Sequence, residues 1–166
     1  MLTVLIRTLK RTYLPLEDWE ALHAALEVGA LTDEVIVGKF ILAQPGEEAL
    51  ELEDRIEPLI QNLCLYAPKQ LLSGQSYRFQ HWNYAASVVL EPDGDKVLVS
   101  GDLLKPTVIA KRELIEALLG CAARVMTLMQ HLHARNPAYS LWAYPHFAEL
   151  LDECTGLYKA AYHQVP

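Results

Sequence analysis

The apolar positions change period several times along the chain, and each change marks an element. Met1 to Leu9 alternates, with Leu2, Val4 and Ile6 on one face, which predicts a strand whose far end, at Arg7, Lys10 and Arg11, is basic. Pro15 reads as opening a helix, with Glu17, Asp18 and Glu20 in a first turn where negative charge suits the helix dipole. Trp19, Leu22, Ala25 and Leu26 supply its apolar face and Gly29 its stop; His23 beside them reads as packing or surface. Residues 33–43 (DEVIVGKFILA) are rich in β-branched and large apolar side chains and predict a strand in which Gly38 marks a bulge or a close approach.

Pro45-Gly46 signals a turn, and Glu47 to Glu53 fits either a short returning strand or a lead-in to a helix. Ile56, Leu59, Ile60, Leu63, Cys64 and Ala67 then follow helical spacing. Pro58 fits only if that helix starts near Asp54 or later, and Pro68 with Ser73-Gly74 is expected to break the chain. Tyr77 to Leu90 reads as one long strand, with Trp82, Tyr84, Ala86, Val88 and Leu90 on one face and His81, Asn83, Ala85, Ser87 and Val89 on the other. Glu91-Pro92-Asp93-Gly94-Asp95 is a turn, Lys96 to Ser100 the returning strand, and Leu103 to Ala110 a connector.

The longest helical pattern runs from about Lys111 to Ala134. Leu114, Ile115, Leu118, Leu119, Ala122, Val125, Met126, Met129 and Leu132 form one broad face, and Glu113, Glu116, Arg124, Thr127 and His131 face away from it. Asn136-Pro137 ends it, an aromatic connector containing Tyr139 and Trp142 follows, and Pro145 suits the start of a last helix. Phe147, Leu150, Leu151, Cys154, Leu157, Tyr158 and Ala161 are its expected buried face. The expectation is a single compact α+β domain over residues 1–166: a largely antiparallel sheet with helices packed on it, the last two helices as an antiparallel pair.

Composition narrows the function classes. At 52% apolar residues the chain can build a packed interior, and no apolar run approaches the roughly 18 residues of a membrane span. The first residues lack the order of a signal peptide, because their charges follow the apolar stretch, so the expected location is the cytoplasm. Three widely spaced cysteines, Cys64, Cys121 and Cys154, each on an apolar helix side, read as buried reduced thiols.

A net charge of −7 argues against nucleic acid as a partner. That charge is concentrated. Glu17, Asp18, Glu20, Glu27, Asp33, Glu34, Glu47, Glu48, Glu51, Glu53, Asp54 and Glu57 are opposed between positions 17 and 57 only by Lys39 and Arg55, a balance of −10. Residues 58–166 are neutral, with nine acids and nine bases.

Motifs for chemistry are missing: there is no phosphate-binding loop, dinucleotide fingerprint, Gly-x-Ser-x-Gly elbow or Cys-x-x-Cys pair. His131 and His133 would point about 160° apart on a helix and cannot share a metal. His146, Glu149 and Glu153 could face one site, but a solvated helical face explains them better, so no cofactor and no metal is expected. The leading reading is a non-catalytic protein-binding domain, comparable at the level of charge to bacterial immunity or antitoxin-like inhibitors that mask a cationic toxin. Its partner-binding residues would be Glu17, Asp18, Glu20, Asp33, Glu34, Glu47, Glu48, Glu51 and Glu53, and its partner a protein with a basic surface rather than nucleic acid or a membrane. The alternative is a small enzyme or ligand-binding domain using the polar and aromatic strand face around His81 and Asn83 (the run RFQHWNY, with Arg78 and Gln80), helped by Tyr139 or His146.

Overall fold

Strand pairing in the computed structural model, which describes residues 2–31, 35–42, 50–81, 87–102 and 104–163, divides the chain into two antiparallel four-stranded sheets. In the first, the order is β2-β1-β3-β4, with β1 at Leu2–Arg7, β2 at Tyr13–Pro15, β3 at Val37–Leu42 and β4 at Leu50–Arg55. In the second, it is β5-β6-β7-β8, with β5 at Tyr77–Gln80, β6 at Ser87–Asp93, β7 at Lys96–Gly101 and β8 at Leu104–Ala110. The helices are α1 (Trp19–Glu27), α2 (Ile56–Leu59), α3 (Ala67–Leu72), α4 (Lys111–Arg135) and α5 (Tyr144–Tyr162); a π-helical stretch, Ile60–Tyr66, joins α2 to α3. The α+β class and the antiparallel pairing of the strands are as expected, the strands forming two sheets.

Three expectations are corrected and one open alternative is decided. Pro15 ends β2, which pairs back on β1 through the register Leu5↔Pro15 and Arg7↔Tyr13, instead of opening a helix. Helix α1 begins at Trp19, so Glu17 and Asp18 precede it, and Asp18 is its cap, accepting the Ala21 amide at 3.0 Å. The reversal into β2 is made by residues 8–12, where Arg11 takes φ +60° and Thr12 donates its amide to the Thr8 hydroxyl at 3.2 Å. Second, Glu51 and Glu53 lie in the returning strand β4, the other side of the ambiguity being the one excluded; residues 47–49 fall outside the described residues.

Third, Pro68 does not break the helix. It occupies the second position of α3, where a missing N–H is tolerated, and the turn just before it widens so that the Ala67 amide reaches the Asn62 carbonyl. Fourth, the long strand expected from Tyr77 to Leu90 is two strands that pair with each other, Tyr77 opposite Leu90 and Gln80 opposite Ser87, and the expected connector from Leu103 is largely strand β8. Pro106 fits there because β8 is an edge, where a lost N–H breaks no ladder.

One core runs through both sheets and the helices. Val4, Ile6, Phe40 and Leu52 come from the first sheet, Phe79, Val88, Leu90, Val97 and Val99 from the second, and Ile56, Ile60, Leu63 and Leu65 from the helix between them. Gly38 is a close approach, as expected: a Cβ there would overlap Ile56 Cδ1. Helix α4 buries the predicted stripe together with Cys121 and Leu128, while Leu119 is half-buried. On α5, Phe147, Leu150, Cys154 and Tyr158 are buried, but Leu157 is 37% exposed and Ala161 is exposed, since the helix turns that side outward near its end. Arg112 and Glu116 near the start of α4 meet the Tyr158 hydroxyl. All three cysteines are free and buried. No helix among the described residues is long and apolar enough to cross a membrane.

Candidate binding site

Among the described residues the acid-rich segment reaches the surface at both ends of α1 and on β4, and folding gives most of its carboxylates a partner. Beside the start of α1, Glu17 lies 3.5 Å from Arg124 of α4, and Glu20 is exposed in the first helical turn. Glu27 at the other end of α1 lies 3.6 Å from Arg135. On β4, Glu51 accepts Lys39 Nζ at 2.8 Å and Glu53 accepts Arg7 at 3.0 Å, so the outer face of the first sheet carries a ladder of opposite charges. Tyr13 joins it, with Lys39 Nζ 4.7 Å from its ring centre and its own phenol held above its ordinary value chiefly by a hydrogen bond to Glu53. Asp33, Glu34, Glu47 and Glu48 lie outside the described residues.

The charge count within positions 17–57 stands as a property of the sequence, but the fold adds cations to it. Arg7, Arg124 and Arg135 come from outside it in sequence and meet it in space. Two acids have other roles: Asp18 caps α1, and Asp54 lies 3.2 Å from His81 Nε2.

The strand face proposed for the alternative is also rearranged. His81 follows the last residue of β5 and is 1% exposed, so it is not on a wet polar face; Asn83 lies outside the described residues. Burial lowers the His81 pKa and Asp54 opposes that shift, which keeps the ring neutral near neutral pH and makes the pair a tie between the end of β5 and β4. Arg78 and Gln80 are exposed on β5. His146 is exposed, with Nε2 3.2 Å from the Tyr66 hydroxyl, and Glu153 pairs with Lys69 at 2.8 Å, so the triplet His146, Glu149 and Glu153 does not converge. Among the described residues no group of three or more His, Cys, Asp and Glu could hold a metal.

Of the two helpers named for the alternative, Tyr139 reaches the first turn of α2, while His146 meets Tyr66 at the end of the π-helical stretch. Tyr139, 1% exposed, donates its hydroxyl to Glu57 Oε1 at 3.4 Å, and burial, followed by the Glu57 charge, holds its phenol far above the ordinary value. Glu57 Oε2 is buried and has no hydrogen-bond partner among the described residues. Glu57 lines a pocket of about 70 Å³ with Arg55, Pro58, Gln61, Trp142 and Phe147. Gln61 Nε2 donates to Tyr66 at 3.2 Å, which joins this rim to His146. Trp142 is 77% exposed.

Arg55, Gln61 and Trp142 were missed as site residues. The only sequence signal was an acid next to proline at a helix start and a tryptophan in a connector, which ordinary capping and packing explain equally well.

A second concavity, an open groove of about 330 Å³, lies where α1 meets the end of α4; His23, Glu27, His131 and Arg135 line it. The His131 ring is 5.2 Å from Trp19 and 6.3 Å from His23. No protein-family model matches the chain, and no curated protein and no solved structure matches it significantly.

Proposed function

We propose that this chain is a non-catalytic protein-binding domain of the kind that bacterial immunity proteins and antitoxins represent, masking a cationic partner in the cytoplasm through the acidic surface of segment 17–57. The observation that carries the reading is the position of strand β4 at the edge of the first sheet, with Glu51 and Glu53 two residues apart on its outer face. That spacing sets neighbouring carboxylates about 7 Å apart along one line. The cations that answer them are only partly covered: Arg7 is 38% and Lys39 20% exposed, opposite Glu53 at 30% and Glu51 at 52%. Exposed pairs of this kind are worth about 0–1 kcal/mol, so an incoming basic surface can replace them at little cost. The exposed Glu17, Asp18 and Glu20 supply a second acidic cluster before and within the first turn of α1.

The test is kinetic. A partner captured from the native source is measured against the wild type and against Glu47→Lys/Glu48→Lys/Glu51→Lys/Glu53→Lys. Association is expected to slow markedly as salt rises and in the quadruple variant, with a smaller change in release. Equal affinity for both chains with no salt dependence overturns the reading.

A further inference from the structure

We infer that the pocket at the first turn of α2 binds a cationic head group, an alkylguanidinium or alkylammonium, through the Glu57 carboxylate beside the exposed Trp142 indole. This goes beyond the acidic surface and stands whether or not that surface binds a protein. Glu57 offers two oxygens. Tyr139 occupies Oε1 at 3.4 Å, while Oε2 is buried without a partner among the described residues. A buried carboxylate oxygen without a donor is costly, and because the Glu57 side chain lines the pocket, a turn of its carboxylate toward that space presents the oxygen to a donor entering there. At about 70 Å³ that space exceeds the roughly 30 Å³ share of one water, so it admits a small planar or tetrahedral head group.

The remaining walls fit the same class of ligand. Trp142, 77% exposed, is the aromatic type that holds cations best, and Pro58 and Phe147 suit an alkyl stem. The Gln61 amide is held at its nitrogen end by Tyr66, which leaves its carbonyl oxygen as the acceptor not used by that bond. Arg55 lines the pocket too and forms no ion pair with Glu57, so it is a resident positive charge that a cationic ligand must tolerate. A site for a zwitterion or an anion would need Arg55; a site for a cation binds better without it. That difference makes the ligand class testable.

The full-length chain, labelled with nitrogen-15, is titrated with ethylguanidinium chloride at constant ionic strength, following the Trp142 indole N–H, assigned by Trp142→Phe. N-ethylurea serves as the neutral shape analogue. A saturable shift in the millimolar range is expected with ethylguanidinium, at least about tenfold weaker with N-ethylurea and in Glu57→Gln. Arg55→Gln should bind more tightly. Trp142→Ala, at a position too exposed to disturb the fold, should weaken binding as read from the amides of residues 57–61, and it keeps the test open should Glu57→Gln fail to fold.

N-acetylarginine amide distinguishes the source: binding as tight as ethylguanidinium marks a polypeptide side chain, much weaker binding marks a small free guanidinium compound, and both support the site. No saturable shift, equal binding of N-ethylurea, or weaker binding in Arg55→Gln overturns the proposal.

Discussion

Replacing Leu118 by alanine tests whether α4 is the centre of the core. Leu118 is 4% exposed and lines a void of about 30 Å³ where Phe40 of the first sheet, Val88 and Val99 of the second, and Leu63 of the π-helical stretch approach one another. The substitution removes three carbons, a transfer loss of about 2.4 kcal/mol at about 0.8 per carbon. If the deleted volume of roughly 80 Å³ stays open, a cavity term near 24 cal/mol per Å³ adds about 2 kcal/mol. The void already present gives neighbouring side chains room to relax inward, so the expected cost is about 3–4 kcal/mol, short of the full sum. In urea, with a slope of about 2 kcal/mol per molar for a chain of this size, the midpoint should fall by about 1.5–2 M. The thermal midpoint should fall by roughly 8–15 °C. Leu157→Ala, at a position 37% exposed, is the comparison and should cost less than about 1 kcal/mol. A Leu118→Ala midpoint within about 0.3 M of the wild type refutes the reasoning, because a removal at the junction of both sheets cannot be silent.

Two further outcomes follow from burial. Cys64, Cys121 and Cys154 are buried, with burial pushing the Cys64 thiol well up and the Cys154 thiol to about 11, so a thiol reagent should label the native chain slowly and all three sites rapidly in denaturant; fast native labelling would contradict the packing. His81 is held below its ordinary 6.5 by burial, so between 6.5 and its lower folded value the unfolded chain binds the extra proton. Stability should therefore decline as pH falls through that window and level off below it, and urea midpoints at pH 7.5 and 5.5 should differ less in His81→Leu than in the wild type.

Legibility followed the local signals. Helix α4 was readable because its apolar period runs unbroken, and the β6–β7 hairpin because Pro92, Asp93 and Gly94 supply turn chemistry where the chain turns. The reversal between Gln80 and Ser87 was not, since no glycine or proline interrupts the alternation there. Strand β8 was hidden by Pro106, whose acceptability depends on an edge position that only the sheet order reveals. Pro15 misled for the opposite reason: it is a good first helical residue, but pairing with Leu5 won. For the candidate site, Glu57 was visible only as one of twelve acids. What sets it apart is contact with Tyr139 and a shared pocket with Trp142, both far away in sequence.

Charge shows the same gap between chain and fold, and it sets the control that the partner experiment needs. Pairing Glu17, Glu27, Glu51 and Glu53 with Arg124, Arg135, Lys39 and Arg7 turns local excess into short dipoles, whose fields fade faster with distance than that of a bare charge. The net charge of −7 is untouched by pairing and still acts at long range. Loss of binding on reversing Glu47, Glu48, Glu51 and Glu53 could then come from the local surface or from the whole-chain field, since four Glu→Lys changes of two charges each take −7 to +1. Reversing Glu91, Asp93, Glu113 and Glu149 to lysine gives the same +1 at exposed positions outside the segment. If the acidic edge at β4 is the docking surface, this second variant should lose association rate to the same extent at low salt but recover near wild-type affinity at high salt, where the long-range field is screened. The first variant should remain weak at both. Identical behaviour of the two variants at every salt concentration would mean that net charge alone is recognised, and that β4 has no special part in binding.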